Sequence, residues 1–193
     1  MMKPEETKVY FNKIACIIKR FTTAVFRETG TTSVSVNRNV FNLRNPVFLH
    51  SECTHTMISE EDYRNFLLPF DIEWSKTVRP FGIHHCGHDP HRMAESYSMI
   101  PHLDFLDVGW GGDVKKLRQY LPDTFLNIRL SPVEIARQNP NEIKESIIKR
   151  VRDSGNPYLT GVCCINIDDT VSDEKIDTIF ETVDALRKEF GNE

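Results

Sequence analysis

Short apolar runs alternate with amphipathic helical stretches at intervals of about 20 to 33 residues along most of this 193-residue chain. The apolar runs lie at 46–53, 78–84, 103–108, 125–130 and 158–165. Between them, Ser59-Glu60-Glu61-Asp62 starts a helix in capping-box style, with Asp where Glu is commoner; it carries Tyr63, Phe66, Leu67, Ile72 and Trp74, and Pro69 should kink or interrupt it. Asp89-Pro90 opens a second helix with Met93, Tyr97 and Ile100, and Asp113 caps a third with Val114, Leu117 and Leu121. Pro140 begins a helix that Gly155 ends, and Ser172 caps the last one, striped by Ile176, Ile179, Phe180, Val183 and Leu186. Strands alternating with helices at this spacing predict right-handed βαβ units and a parallel sheet.

The polar side chains sit at the C-terminal ends of the predicted strands: His50 to Cys53, His84 to Cys86, Asp107 to Trp110, Arg129, Cys163 and Cys164. That distribution marks the active rim of a (β/α)8 barrel, whereas a doubly wound sheet gathers its site at one switch point. A closed barrel needs eight units and the chain supplies about five, so the expected fold is α/β, a single partial TIM barrel. Residues 46–193 hold the β/α units. Residues 1–45 hold a leading helix over 4–29, with Tyr10, Ile14, Ile17, Ile18, Phe21 and Val25 at helical spacing and Cys16 on or beside that stripe as a core residue. After Gly30 comes a polar stretch that shows only a brief Val34-Ser35-Val36 alternation.

A net charge of -4 gives no electrostatic reason to expect nucleic acid or an anionic membrane as partner. No apolar run approaches the roughly 20 residues of a membrane span, and no apolar segment follows the start, so no signal peptide is visible. The five cysteines, at 16, 53, 86, 163 and 164, are odd in number and lack a framework spacing. They fit a reducing cytoplasm, as core residues or ligands.

Two separated stretches carry soft ligands: Ile83-His84-His85-Cys86-Gly87 and Gly161-Val162-Cys163-Cys164-Ile165. On a strand, His84 and Cys86 leave the same face and His85 the other. With a cysteine from a second strand end they make a donor set for zinc that keeps a fourth position open for substrate, the arrangement that activates a thiol. The plainer reading of the same residues is a polar strand end and a small buried thiol. Glu52 and Cys53 end a strand near the same rim and line the pocket, with the capacity to supply or replace a ligand. Asp107 can orient a ligand histidine or meet substrate, and Arg129 can clamp a carboxylate or sulfonate or form a salt bridge at the rim. Gly109-Trp110-Gly111-Gly112 reads as a tight turn rather than an anion seat.

Four stretches together resemble the uroporphyrinogen decarboxylase superfamily, which includes the decarboxylase and the zinc-dependent, corrinoid-linked methyltransferases. They are Ile58-Ser59-Glu60-Glu61-Asp62-Tyr63 through Leu68-Pro69; Ile83-His84-His85-Cys86-Gly87; Leu106-Asp107-Val108-Gly109-Trp110-Gly111-Gly112-Asp113; and Leu130-Ser131-Pro132-Val133 before Pro140-Asn141-Glu142-Ile143. The resemblance covers roughly residues 47 to 190 and the family's C-terminal half. It implies a zinc site of His84, Cys86 and a third thiolate, Cys164 or Cys163 according to the end from which one counts, with Cys164 preferred. Asp107 and Arg129, read from the residues above, are the expected catalytic groups; the resemblance further implies a corrinoid carried by a partner protein and a small thiol or acidic substrate. The family's Gly-Asn turn after the seventh strand is absent, and Asn127-Ile128-Arg129-Leu130 stands there.

The leading expectation is a cytoplasmic zinc-dependent methyltransferase. The alternatives are a metal-free carboxy-lyase of the same superfamily and a partial barrel without turnover of its own. An incomplete barrel also predicts a homodimer, pairing with a separate N-terminal half, or a longer protein of which this is part.

Overall fold

Five strands form one parallel sheet whose spatial order is their order in the chain: β1 (Phe48–Glu52), β2 (Phe81–His85), β3 (Phe105–Val108), β4 (Phe125–Leu130) and β5 (Thr160–Cys164). The computed structural model describes residues 3–30, 47–53 and 55–191, so the Val34-Ser35-Val36 alternation falls outside the described residues. Helices α2 (Glu60–Phe66) and α3 (Leu68–Thr77) link β1 to β2, and a 3-10 turn (Pro90–Met93) with α4 (Ala94–Ser98) links β2 to β3. Next come α5 (Val114–Tyr120), then α6 (Pro132–Arg137) and α7 (Pro140–Asp153), and α8 (Asp173–Phe190) follows β5. This is the α/β alternation expected, and a partial barrel wall has this winding.

Local chemistry explains the boundaries. The Ser59, Asp113 and Asn139 side chains each accept the backbone N–H three residues on, satisfying a donor that a helix start leaves orphaned. Asn139 and Glu142 complete a capping box for α7. The break expected at Pro69 comes at Leu67, because a proline fits the first turn of a new helix better than the middle of an old one. The short α6 went unpredicted. It starts at Ser131, whose side chain caps it just past the end of β4.

Period-two alternation splits the sheet into two faces. On one, Phe48, Phe81, Ile83, Leu106, Val108, Leu126 and Ile128 pack against helix residues such as Tyr63, Trp74, Tyr97 and Leu117. Leu130, Val162 and Cys164 continue that face against α7 and α8 through Ile143, Ile147, Ile179 and Leu186. Each fully buried aliphatic or aromatic side chain here contributes about 1.5–3 kcal/mol of transfer free energy. The opposite face holds a smaller apolar layer of Val47, Leu49, Phe105 and Phe125, and above it, toward the strand C-termini, the polar residues described below.

Arg118 locks the helix layer together. Its Nε donates to Ser154 O at 2.9 Å, its Nη1 to the carbonyls of Leu121, Pro122 and Thr124, and its Nη2 to Leu159 O at 2.9 Å. One guanidinium thus satisfies carbonyls left open at the ends of α5 and α7.

The leading helix, α1 (Pro4–Thr29), packs by a different row from the one its periodicity suggests. Ala15 is buried, Ile18 and Phe26 rest on the core, and Phe11 meets Phe66 edge to face. Ile17 and Phe21 are 67% and 68% exposed, Tyr10 and Ile14 are exposed too, and Cys16 lies at the surface rather than in the core. The helix is apolar over an arc wider than one contact stripe, so spacing alone could not select the docking face.

Candidate metal and polar site

Register aligns the site residues in rows across the sheet. Ser51 lies beside His84, His84 beside Asp107, Asp107 beside Asn127, and Asn127 beside Gly161. Two residues further along, Arg129 pairs with Cys163, while Cys53 and Cys86 follow the ends of β1 and β2. Because the row spacing is two residues, these side chains leave the same face as His84.

Asp107 is the hub of the lower row. It is fully buried, and its Oδ2 accepts from His84 Nδ1 and from Arg129 Nη2. Its Oδ1 accepts from Asn127 Nδ2 at 3.0 Å, with the Cys163 thiol 3.9 Å away. A carboxylate only accepts, so the proton between His84 and Asp107 sits on Nδ1. Arg129 Nη2 lies 2.8 Å from that same nitrogen and therefore donates to Asp107 rather than to His84. The tautomer so fixed leaves His84 Nε2 as a lone-pair donor, the form a metal ligand takes.

Burial would lower the Arg129 pKa, but Asp107 beside it outweighs that and holds it above the ordinary value, a permanent cation. Arg129 is 1% exposed, and its Nε and Nη1 have no hydrogen-bond partner among the described residues. Cys163 accepts from Asn127 Nδ2 at 3.2 Å, and burial, together with the nearby Asp107 charge, pushes its thiol up to about 12.

Cys53, His84 and Cys86 form a group whose ligand atoms all lie within 4.8 Å of one another. His84 is buried, Cys86 half-buried and Cys53 exposed, so the group opens to the rim. Two thiolates and the Asp107 carboxylate would balance a dication and the Arg129 guanidinium, and a set of one imidazole and two thiolates suits zinc. The residues present thus fit a metal ion of that kind.

His84 and Cys86 come together as their spacing predicts. Cys164 does not join them, because alternation turns its side chain to the helix face, where it packs with the α7–α8 cluster; burial there raises its pKa to about 11. Cys163 shares the face of His84 but bonds to Asn127. Cys53 stands in the group in place of either. The signal was present in the sequence: Ser51-x-Cys53 ends β1 as His84-x-Cys86 ends β2, and pairing the two strands puts Cys53 next to Cys86. Asn127 was missed as well, since a polar residue inside an apolar run shows its partners only once the register is known. The Glu52 side chain lies outside the described residues.

His85 points the other way. Its Nδ1 meets the Tyr97 hydroxyl at 2.8 Å, and His55 Nδ1 meets the same hydroxyl at 2.7 Å. A hydroxyl has one proton, so Tyr97 donates to one histidine and accepts from the other. Burial, with the nearby His55 adding to it, lowers the His85 pKa to about 3. The glycine-rich segment after β3 is a turn, as expected. A Cβ on Gly109 would sit 1.5 Å from Gly87 O, so the two strand ends approach too closely for any side chain there.

No protein-family model matches the chain. No curated protein matches it. Among solved structures it is similar to a methyltransferase from Methanosarcina mazei, with a TM-score of 0.58 and 16% identity. The match covers 74% of this chain and 43% of that one, so the chain spans less than half the length of the neighbour. At that identity the likeness speaks for the fold.

Proposed function

We propose that this chain carries the metal site of a zinc-dependent methyltransferase of the uroporphyrinogen decarboxylase type, one that moves a methyl group from a corrinoid protein to a thiol. The observation that carries this reading is the convergence of Cys53, His84 and Cys86 at the C-terminal ends of two adjacent parallel strands. The solved methyltransferase of similar fold supports it. Zinc held by such a set supplies a Lewis acid that keeps a substrate thiol deprotonated at neutral pH.

The protein's own groups prepare that centre. Asp107 fixes the His84 tautomer and ring plane. Arg129 holds Asp107 in place through one nitrogen and keeps Nε and Nη1 for a polar atom of the reacting partners. Cys163, retained as a thiol, adds no charge to the centre. Methyl transfer to sulfur is an in-line displacement that depends on position more than on acid-base groups, and a rigid strand-end row provides position. In this reading the strands that a closed barrel needs beyond these five come from a second copy, a separate N-terminal half or the rest of a longer protein.

Metal analysis of the purified full-length chain after zinc loading tests the reading. One equivalent is expected, abolished by His84→Ala or Cys86→Ala and weakened by Cys53→Ser. Cobalt substitution should give thiolate-to-metal absorption that falls in Cys53→Ser. A folded chain that takes up no metal overturns the proposal.

A further inference from the structure

Of the five cysteines, all thiols in this structure, Cys53 and Cys86 stand as a pair. Each comes one residue after the last paired rung of β1 and β2, Glu52 beside His85. Adjacent parallel strands run about 4.8 Å apart, inside the Cα separation of about 4.4–6.8 Å over which a disulfide closes. Both side chains leave the face of His84, and their sulfurs lie within 4.8 Å of each other. The two residues sit past the ladder, so side-chain rotation can bring the sulfurs to bonding distance without breaking a sheet hydrogen bond.

The other three cysteines stand apart. Cys163 and Cys164 are consecutive on β5 and project to opposite faces. Cys163 accepts from Asn127, and Cys164 packs with the α7–α8 cluster. Cys16 lies at the surface of α1, in the outer layer. Within the pair, Cys53 is exposed and Cys86 half-buried. A dissolved oxidant therefore meets Cys53 first, and Cys86 is the thiol placed to resolve the product.

We propose that Cys53 and Cys86 are a redox pair, which a peroxide closes into a disulfide, and that this closure ends metal binding at the centre until a reductant reopens it. The pair rests on its own geometry; the control of the centre rests on the metal-site reading above. Cys53 Sγ attacks one oxygen of hydrogen peroxide, the O–O bond breaks, a hydroxide leaves and a sulfenic acid remains on Cys53. Cys86 Sγ then attacks that sulfur, the S–O bond breaks, and a second hydroxide leaves as the disulfide forms. The two sulfurs together give up two electrons, and the peroxide takes both. In the metal-free chain the two thiol protons turn the hydroxides into water. In the loaded chain the departing dication balances them. His84 alone then remains of the donor set, well short of what zinc requires.

Peroxide treatment of the full chain, metal-free and zinc-loaded, tests the proposal, with the products alkylated, digested without reduction and mapped by mass. In the metal-free chain a Cys53–Cys86 peptide should be the main cross-link, and tris(2-carboxyethyl)phosphine should restore both thiols. In the loaded chain the same cross-link should appear in step with loss of the bound zinc, read with the dye 4-(2-pyridylazo)resorcinol, and reduction should restore zinc uptake. Cys53→Ser should abolish the cross-link and Cys163→Ser should keep it. In urea, where β1 no longer pairs with β2, the preference for this pair should vanish; a preference that persists there overturns its origin in the fold. A native metal-free chain that yields no Cys53–Cys86 peptide, or a Cys86–Cys163 peptide in its place, overturns the pair. Cross-linking of the metal-free chain, with zinc retained under peroxide by the loaded one, overturns the control of the centre. A chain that takes up no zinc overturns the metal reading and that control with it, while the metal-free arm still decides the pair.

Discussion

His84 and His85 are consecutive residues of one strand, both buried, yet they belong to two different chemical worlds. His84 faces a carboxylate and a guanidinium beside two cysteines at an open rim. His85 faces a tyrosine hydroxyl and a second histidine inside the helix layer. On the site face the charges balance only in company, and a cation fits the group they leave. On the helix face the Tyr97 hydroxyl links the two histidines, and His85 Nε2, 3.9 Å from Asp89 Oδ1, has no hydrogen-bond partner among the described residues. The contrast shows that a histidine's role follows from the partner on its other ring nitrogen, not from burial or from its place in a motif.

Removing the hub of the site face should have the largest effect. Asp107→Ala leaves Arg129 buried without its counter-charge and His84 without a fixed tautomer. Breaking a buried pair this way costs about 3–5 kcal/mol, to be read as a shift in urea midpoint on metal-free protein. Asp107→Asn keeps an acceptor for Arg129 and should cost clearly less. Equal losses in the two variants would mean that shape, not charge, governs this row.

The helix-face network should come next. Tyr97→Phe removes the hydroxyl shared by His55 and His85 and should cost about 1–3 kcal/mol while leaving zinc stoichiometry unchanged. A loss of zinc in Tyr97→Phe would show that the two faces are coupled through β2.

His85 and Cys163 should also separate by pH. The folded pKa of His85, lowered by burial to about 3, lies below the ordinary value of 6.5. The unfolded chain therefore binds the extra proton first as pH falls. Stability from this group is complete above about pH 6.5 and falls below it by about 1.4 kcal/mol per pH unit at most. Cys163 behaves in the opposite sense: its folded pKa, raised by burial to about 12, exceeds the ordinary value of 9.0. The unfolded chain loses that proton first, so stability declines as pH rises from about 9 toward 12. On metal-free protein, His85→Phe should flatten the acid limb, and Cys163→Ala should reduce the alkaline one, whose remainder comes from Cys164 on the helix face. If either variant altered the other's limb, the assignment of these limbs to His85 and Cys163 would fail.

The same contrast explains what was readable in the chain. The parallel alternation, the helix starts at Ser59, Asp113 and Pro140, and the opposed directions of His84 and His85 all follow from local rules, periods of two and 3.6 and capping chemistry. The third thiolate did not. Choosing among Cys53, Cys163 and Cys164 needs the register of β1 on β2 and the parity of β5, and parity hinges on one residue, since a single step sends a side chain to the other face. The docking row of α1 was hidden for a related reason. Phe11, Ile18 and Phe26 are no more apolar than the exposed Ile14, Ile17 and Phe21, and only the position of α2 and the core decides between them.

The smallest expected effect is the most discriminating for the site. Cys163 lies on the face of His84, yet its sulfur accepts from Asn127 and stays outside the group of Cys53, His84 and Cys86. Cys163→Ser preserves size and hydrogen-bonding capacity, so stability should change by no more than about 1 kcal/mol. Zinc should remain at one equivalent with unaltered affinity. Cys53→Ser should leave stability of the metal-free chain equally untouched, because Cys53 is exposed, but should weaken zinc binding by an order of magnitude or more. The pair of variants thus separates a ligand from its neighbour by affinity alone, with folding held constant. Should Cys163→Ser lose zinc while Cys53→Ser keeps it, the third thiolate comes from β5 rather than β1, and the centre spans four strands of the sheet instead of two.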